Sequence, residues 1–325
     1  MSFNTGINAR NRAVLALGAI AAAAATVGAS IVPTFAQDAI VQIDGSSTVF
    51  PITEAMAEEF QAANAGTAVV VGVSGTGGGF KKFCAGETDI SGASRPIKDS
   101  ERELCAEAGI NFIEVPVAYD ALTVVINDQN DWATTMTTDQ LRTMWESGAE
   151  GEITNWNQVD PSFPDVELSL YAPGTDSGTF DYFNEVILES DDGEELGHRG
   201  DYTASEDDNI LVLGVQGAEG GIAYFGLAYY LENQDTLTAV GIDDGNPDNG
   251  EGAIFPGSDT VENGTYVPLS RPIFIYVRED SLDKPEVANF VDFYLAEENR
   301  YLIGEVGYVP LPGEMYEEGM AAVSQ

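Results

Sequence analysis

Three stretches of the chain share one pattern of apolar and polar positions. Each starts with an apolar run typical of a strand, passes through a short segment rich in glycine and hydroxyl residues, and continues with apolar positions at helical spacing. The stretches are AIVQIDGSSTVFPITEAMAEEF from Ala39, AVVVGVSGTGGGFKKF from Ala68 and VELSLYAPGTDSGTFDYFNEVIL from Val166. The pattern therefore predicts a strand, a loop and a helix three times.

The three loops are suited to binding an anion. The first amides of a helix have no partner within the helix and carry the positive end of its dipole. Glycine lets a ligand approach the backbone closely, and serine or threonine adds a hydroxyl donor. Helix capping explains a single loop of this kind equally well. Three such loops in one chain favour a shared oxyanion site.

The remaining periodic segments indicate an α/β fold. NFIEVPVAYDALTVVIN predicts two strands, and GGIAYFG and RPIFIYVRE predict one buried strand each. TTDQLRTMWESG predicts a helix capped by Thr137 or Thr138, and KPEVANFVDFYLAEENRYLI predicts one long amphipathic helix. Short strands alternating with helices favour parallel sheets, whose ligands bind beyond the carboxyl ends of the strands.

The N-terminal segment has the pattern of a secretory signal peptide. Arg10 and Arg12 precede an apolar, alanine-rich run over 13–32, and PTFA follows, ending at Ala36. We expect residues 1–36 to be removed and the protein to be periplasmic or secreted. An uncleaved membrane anchor is the alternative, since the run approaches the length that spans a bilayer.

Charge narrows the range of partners. The chain has 54 acidic and 13 basic residues, a formal net charge of −41. Nucleic acid is excluded as a partner because phosphate backbones are bound by basic surfaces. An acidic surface of this size suits a salt-rich medium, in which screening relieves self-repulsion, and so predicts a halophilic protein, with adaptation to pH as the alternative.

The two cysteines predict a disulfide. Cys84 and Cys105 are the only cysteines in the chain, and an exported protein offers an oxidising environment. A two-cysteine metal site would need further ligands, and His198 is the only histidine. We expect neither a metal nor a cofactor, and we expect His198 to lie in a solvent-exposed turn of GHRGD.

The sequence argues against an enzyme. A serine nucleophile needs a base, and DSGT lacks the glycine spacing of a nucleophile elbow. GTGGGF lacks both the Lys-Ser/Thr pair of a phosphate-binding P-loop and the spacing of a dinucleotide fingerprint. Among the scarce basic residues, Arg95 follows a predicted strand and is suited to bind an oxyanion with two charge-assisted hydrogen bonds. A salt bridge with one of the many acids is the alternative for Arg95.

Seven segments, in this order along the chain, resemble the phosphate-binding proteins of bacterial phosphate ABC transporters, within the periplasmic binding protein family. They are DGSSTVFPI, SGTGGGFKKFCAGETDISGASRPI, PVAYDALTVVIN, GEITNWNQVDPSFPD, LYAPGTDSGTFDYF, DYTASEDDNILVLGVQG and LSRPIFIYV. The resemblance covers nearly the whole chain after residue 36. It implies an α/β fold of two lobes joined by a hinge, with the ligand in the cleft. One lobe would comprise 37–118 and 270–325, the other 119–269, with the crossings near PVAYDAL and PLSRPIF.

The resemblance also implies which residues bind phosphate. Carried over by motif, and with Arg95 added from its own pattern, the ligands are Ser47, Thr48, Thr76, Arg95, Ser177, Gly178 and Thr179. The chain departs from some members of the family in two places. Arg95 stands where they have an acid, and Pro173 stands where they have an arginine.

The missing acid bears on specificity. An acceptor for the proton of hydrogen phosphate discriminates against sulfate, because fully ionised sulfate leaves that acceptor unpaired. Asp176 is the candidate acceptor, with helix capping as its alternative role. Thr175 and Ser205 are candidates for secondary ligands.

The function implied is that of a monomeric receptor that binds inorganic phosphate and delivers it to the membrane permease of an ABC transporter. A receptor for another tetrahedral oxyanion, such as sulfate, molybdate or tungstate, is the alternative within the same class. An extracellular phosphatase-like enzyme and an adhesive surface protein that keeps the fold without the ligand are alternatives from other classes.

Overall fold

The computed structural model describes residues 39–175, 177–190 and 193–324. The predicted signal peptide and its cleavage site lie outside these residues. The strands are β1 (Ala39–Gly45), β2 (Thr67–Val73), β3 (Ile90–Ala93), β4 (Phe112–Asn127), β5 (Thr135–Thr137), β6 (Ser169–Ala172), β7 (Thr203–Ala204), β8 (Gly221–Gly226), β9 (Leu237–Ala239), β10 (Gly241–Asp243), β11 (Ser270–Arg278) and β12 (Val309–Pro310). The helices are α1 (Phe50–Ala63), α2 (Gly75–Cys84), α3 (Asp99–Glu107), α4 (Thr138–Trp145), α5 (Trp156–Val159), α6 (Gly178–Ile187), α7 (Asp208–Gly217), α8 (Leu227–Glu232), α9 (Ser258–Glu262), α10 (Pro285–Leu295), α11 (Tyr301–Glu305) and α12 (Gly313–Val323).

A long sheet of mixed direction runs through the described part of the chain. Its strands follow the order β2-β1-β3-β11-β4-β8-β6-β7, and β9 and β12 also pair with β4. Pairs β1–β2, β1–β3, β6–β7 and β6–β8 are parallel, as predicted. The expectation of parallel pairing is wrong for β11 and β4, which pair antiparallel with each other and with their outer neighbours.

Strand β4 is one continuous strand of 16 residues where the sequence predicted two. Its first part pairs with β11 and its second part with β8. The strand bulges where the β4–β11 register passes from Ala118 opposite Ile273 to Pro116 opposite Phe274. A bulge accommodates proline, which donates no ladder hydrogen bond, so the strand continues past it.

Two large apolar clusters fill the space beside this sheet. One, the α1–α10 cluster, packs Met56 and Phe60 of α1 with Phe290 of α10 and takes β4 residues up to Ala118. The other, the α6 cluster, packs Phe183 of α6 with tryptophan and tyrosine rings and takes β4 residues from Ala121 onward. The two cores therefore change over along β4 between 118 and 121.

The three predicted strand–loop–helix units are present as β1–α1, β2–α2 and β6–α6. In α1, the predicted apolar face is buried, with Ile52 and Met56 at 0% exposure. Helix α4 is capped by Thr137, whose hydroxyl accepts a hydrogen bond from the Gln140 amide. The long helix predicted from Lys284 is wrong, because α10 ends at Leu295, where the backbone of Ala296 is extended.

The predicted disulfide is confirmed. Cys84 at the end of α2 is bonded to Cys105 in α3, with 4.4 Å between the two Cα atoms. The pair lies in a small apolar cluster with Phe80, Phe83 and Tyr276. Closing a loop of 21 residues contributes about 3 kcal/mol in the chain-entropy account of such bonds.

Candidate functional site

The loop before α1 is held tightly against strand β3. Gly45 has a φ of +152°, and a Cβ at this position would collide with the carbonyl of Gly92. The Ser46 amide donates to the Gly92 carbonyl at 3.0 Å, and the Thr48 amide donates to the Ser46 hydroxyl at 3.1 Å. The start of α1 is therefore fixed by backbone contacts that only glycine at position 45 permits.

The loop before α6 meets the loop before α1. Ser177 caps α6 by accepting a hydrogen bond from the Thr179 amide at 3.2 Å. A Cβ on Gly178 would lie 3.2 Å from the Cα of Thr48, so the two helix starts are in close contact. Ser47 also donates from its hydroxyl to Asp181 of α6 at 3.4 Å. The structure thus brings Ser47 and Thr48 together with the predicted ligands of the third loop.

A cavity of about 470 Å³ opens beside this contact. Ser47, Ser177, Gly178 and Thr179 line it, so four of the seven predicted phosphate ligands share one space. The Tyr308 hydroxyl, on the same wall, donates to the Thr48 carbonyl at 2.6 Å and braces the first loop. Two helix N-termini with serine and threonine hydroxyls form a surface suited to an oxyanion.

Thr76 and Arg95 lie together at the start of α2, outside the lining of that cavity. The Thr76 hydroxyl shares a hydrogen bond of 3.1 Å with the Ser94 hydroxyl and accepts from the Ser94 amide. A Cβ on Gly77 would lie 4.0 Å from a terminal nitrogen of Arg95. The second loop therefore packs against the end of β3 and the arginine that follows it.

Arg95 forms a two-point ion pair with a carboxylate. Its two terminal nitrogens donate to the two oxygens of Glu101 in α3, each at 2.9 Å. The hydrogen bonds to Glu101 raise the pKa of Arg95. Burial opposes ionisation of Glu101, but the hydrogen bonds from Arg95 and the Lys98 amide lower the pKa of that carboxyl. An anion at Arg95 would share the guanidinium with Glu101 or displace it, and the role of Arg95 as a phosphate ligand stays a prediction.

Of the remaining candidates, Ser205 and Thr175 are in the described part of the chain and Asp176 is not. Ser205 donates from its hydroxyl to the Asp207 carbonyl and accepts from the Asp207 amide, a local turn before α7. Thr175 is exposed, and Asp176 lies outside the described residues. The ligand roles of Thr175 and Ser205 and the proton-acceptor role of Asp176 stay predictions.

Acids that the sequence analysis did not single out line the same cavity. Asp120, Glu206 and Asp208 face it from β4 and from the start of α7. Burial, and then repulsion from Asp207 and Glu206, raise the pKa of Asp208 to about 7. The signal for Asp120 was present in the chain, because it is the one acid within the apolar run PVAYDALTVVIN.

Arg271 was missed as well. Its guanidinium lies 3.7 Å from the ring centre of Tyr182, in the geometry of a cation–π contact. One terminal nitrogen donates to Glu185 of α6 at 2.7 Å, and Nε lies 3.4 Å from Asp120. Arg271 therefore connects β11 and β4 to the helix that carries the third loop.

His198 is not in a solvent-exposed turn, and that expectation is wrong. Its Nδ1 lies 2.7 Å from the Arg199 carbonyl and its Nε2 3.1 Å from the Tyr224 hydroxyl. Because a carbonyl only accepts, Nδ1 donates and Nε2 accepts from the tyrosine. Rings of Trp145 and Phe180 lie within 5.3 Å of the imidazole, and burial lowers the pKa of His198. Both nitrogens are engaged away from Ser177, so His198 is not placed as its general base.

Two further observations concern the described residues alone. Among them, no three His, Cys, Asp or Glu side chains are grouped so as to hold a metal ion. Every helix in the same residues is too short or too polar to cross a bilayer.

The chain is similar to known binding proteins over most of its length. The model of a PBP superfamily domain matches residues 20–298. Protein SphX of Synechococcus elongatus is 54% identical over 295 residues, which cover 90% of this chain and 84% of SphX. The phosphate-binding protein PstS of Staphylococcus saprophyticus is 37% identical over 281 residues, which cover 86% of this chain and 82% of PstS.

Solved structures of binding proteins are similar to this chain as well. The crystal structure of a possible phosphate binding protein from Planctomyces limnophilus matches with a TM-score of 0.82 at 44% identity, covering 88% of this chain and 98% of that one. A candidate phosphate ABC transporter substrate-binding protein of Clostridium perfringens with bound phosphate matches with a TM-score of 0.53 at 27% identity, covering 84% and 100%. The predicted α/β binding-protein fold and the resemblance carried by the seven segments are both confirmed. The chain belongs to the PBP superfamily and, within it, to the family of binding proteins that includes SphX and PstS.

Proposed function

We propose that the protein is an extracytoplasmic receptor that binds inorganic phosphate and delivers it to the permease of a phosphate ABC transporter. The observation that carries the proposal is the meeting of the α1 and α6 N-termini at one cavity, with Gly178 against Thr48. The relatives named for phosphate binding supply the choice of anion. Export fits the signal-peptide pattern of residues 1–36, and a monomer suffices because the cavity is formed within one chain.

The two apolar clusters support a hinged molecule. The α1–α10 cluster contains β4 residues up to Ala118, and the α6 cluster contains β4 residues from Ala121. Along the segment that enters β11, the corresponding change falls between Leu269, just before the strand, and Ile273. These positions agree with lobes of 37–118 plus 270–325 and of 119–269, with β4 and β11 as the crossings. Phosphate would then lie between loops that belong to different lobes.

The energetics favour many donors around a buried anion. A doubly charged anion leaves water only where nearly every oxygen lone pair meets a donor. Hydrogen bonds to charged groups contribute roughly 1.5–3 kcal/mol each, so the amides and hydroxyls of three loops together with Arg95 hold phosphate firmly. The net charge of −41 opposes the approach of the anion, and salt weakens this repulsion. A salt-rich medium therefore assists association.

A calorimetric titration with phosphate in high salt tests the proposal, followed by the same titration in an excess of sulfate. We expect tight binding that sulfate does not compete away. Binding that is lost to sulfate would assign the site to a tetrahedral oxyanion of another kind. The absence of heat with either anion would reduce the loops to helix caps. Turnover of a chromogenic phosphate ester would favour the phosphatase-like alternative.

A glycine pair locates the site within the molecule. Gly178→Ala places a methyl group against Thr48 at the contact of the two helix starts, and we expect at least a tenfold loss of phosphate affinity. Gly257→Ala is the matched control, since Gly257 precedes α9 with room for a methyl group. Equal affinities of the two variants would place the anion elsewhere.

A further inference from the structure

Asp120 is a buried carboxyl that faces the candidate phosphate cavity and has no role in the proposed binding. It is 5% exposed and lies on β4 between the last residue of the α1–α10 cluster and the first of the α6 cluster. It lines the cavity together with Ser47 and Ser177. In its ionised form it repels any anion that enters this space.

The cation beside Asp120 is shared with another acid. Arg271 lies opposite Asp120 in the β4–β11 register, with Nε 3.4 Å from Oδ2. The same guanidinium donates to Glu185 at 2.7 Å, and its Nε is buried without a hydrogen-bond partner. One positive charge therefore serves two carboxylates, and the bond to Glu185 is the shorter.

The charged and titratable groups that face Asp120 lie on several elements. On α6 these are Tyr182 and Glu185, before β12 it is Tyr308, on β11 it is Arg271, and across the cavity they are Glu206, Asp208 and Tyr229. Within this described set, Arg271 is the one cation. Burial, its largest cause, raises the pKa of Asp120 to about 6 in spite of Arg271.

We propose that Asp120 takes up a proton from solvent when the anion binds, and that its neutralisation removes the repulsion between Asp120 and the anion while Arg271 stays paired with Glu185. The proton adds to a carboxylate oxygen of Asp120, no other bond changes, and Arg271 stays charged. A dianion in the cavity favours this state because it stabilises the neutral carboxyl over the carboxylate. The inference rests on the proposed function, since it needs an anion at the loops of Ser47 and Ser177.

Titration calorimetry in two buffers of different ionisation enthalpy measures the proton directly. At about pH 8, where free Asp120 is ionised, we expect uptake approaching one proton per phosphate bound. The affinity of the wild-type protein should fall by up to about tenfold per pH unit above about pH 6. Asp120→Asn removes the titrating group, so its binding heat should be the same in both buffers and its affinity should vary less with pH.

Asp208→Asn is the matched control, because it removes a second acid from the same cavity. We expect this variant to keep the proton uptake. Uptake that persists in Asp120→Asn, or disappears in Asp208→Asn, would assign the proton to phosphate itself or to Asp208 and overturn the inference. Phosphate binding without proton uptake in the wild-type protein would overturn it as well while leaving the receptor function intact. No phosphate binding in the wild-type protein would overturn both.

Discussion

Arg95 and Arg271 both pair with carboxylates, but the two pairs differ in construction. Arg95 gives both terminal nitrogens to the single carboxylate of Glu101, six positions along the chain. Arg271 divides its guanidinium between Glu185 and Asp120, which are 86 and 151 positions away. The first pair is local and satisfied at two points, whereas the second is assembled from three elements and leaves Nε without a hydrogen bond.

The difference in construction gives the two arginines different properties: Arg95 is held in one direction, whereas the charge balance around Arg271 can change. A two-point pair fixes the direction of a guanidinium and balances its charge with one acid. An arginine shared by two acids changes its local charge balance when one acid binds a proton. The Arg95 pair is thus suited to orient a side chain, and the Arg271 cluster to respond to what enters the cavity.

Removing Arg271 should have the largest effect on stability. In Arg271→Ala, buried Asp120 loses its cation, and we expect the free energy of unfolding at neutral pH to fall by about 3 kcal/mol. Urea denaturation measures the change. Arg102→Ala is the control, because the Arg102–Glu114 pair is half exposed and should contribute about 1 kcal/mol or less. Equal losses in the two variants would show that the Arg271 cluster behaves as a surface pair.

Removing Arg95 should act on binding rather than on the fold. If Arg95 binds the anion as predicted, Arg95→Ala removes two charge-assisted hydrogen bonds, and we expect phosphate affinity to fall about a hundredfold. Calorimetric titration measures it, with Arg102→Ala again as the control of unchanged affinity. Wild-type affinity in Arg95→Ala would leave Arg95 as the structural partner of Glu101 alone.

The free energy of unfolding should depend on pH through both arginine pairs, with one sign for Asp120 beside Arg271 and the opposite sign for Glu101 beside Arg95. The folded-state pKa of Asp120 is raised to about 6, so its contribution is most favourable below the unfolded value near about 4 and declines by roughly 2 kcal/mol as pH rises to about 6. The folded-state pKa of Glu101 is lowered, so its contribution is present above about pH 4 and is lost as pH falls through the folded value. Thermal unfolding over this range measures both. Asp120→Asn should remove the loss of stability as pH rises towards about 6, and Glu101→Gln should remove the gain of stability above about pH 4. The same dependence of stability on pH in both variants would contradict the comparison.

The parts of the site that follow from local sequence were predictable. A strand, a glycine-rich segment and a helical period within some 20 residues specify a helix start, and the loops before α1, α2 and α6 are where the pattern put them. The disulfide followed from the two cysteines and the predicted export signal. The rules of helix ends predicted a cap at Thr137 or Thr138, and the structure has it at Thr137.

The rest depends on tertiary contacts that no local pattern records. Asp120 and Arg271 were both inside quoted motifs, yet their pairing requires the register of β4 against β11 and the position of α6. His198 looked solvated because its neighbours in sequence are glycine, arginine and aspartate, whereas its neighbours in space are aromatic rings. Strand β4 continues past Pro116 because it bulges at this point, where β4 advances two residues, from Ala118 to Pro116, while its partner β11 advances one, from Ile273 to Phe274.

The Cys84–Cys105 bond ties together the two helices between which Arg95 is held. Gly77 of α2 faces the guanidinium, and Glu101 of α3 binds it. A chain synthesised in a reducing cytosol has the same sequence but lacks this covalent link, and its α3 is free to move away from α2. The compartment in which the chain matures is therefore part of what defines the arginine's position, and material for binding studies should be matched for oxidation before any two affinities are compared.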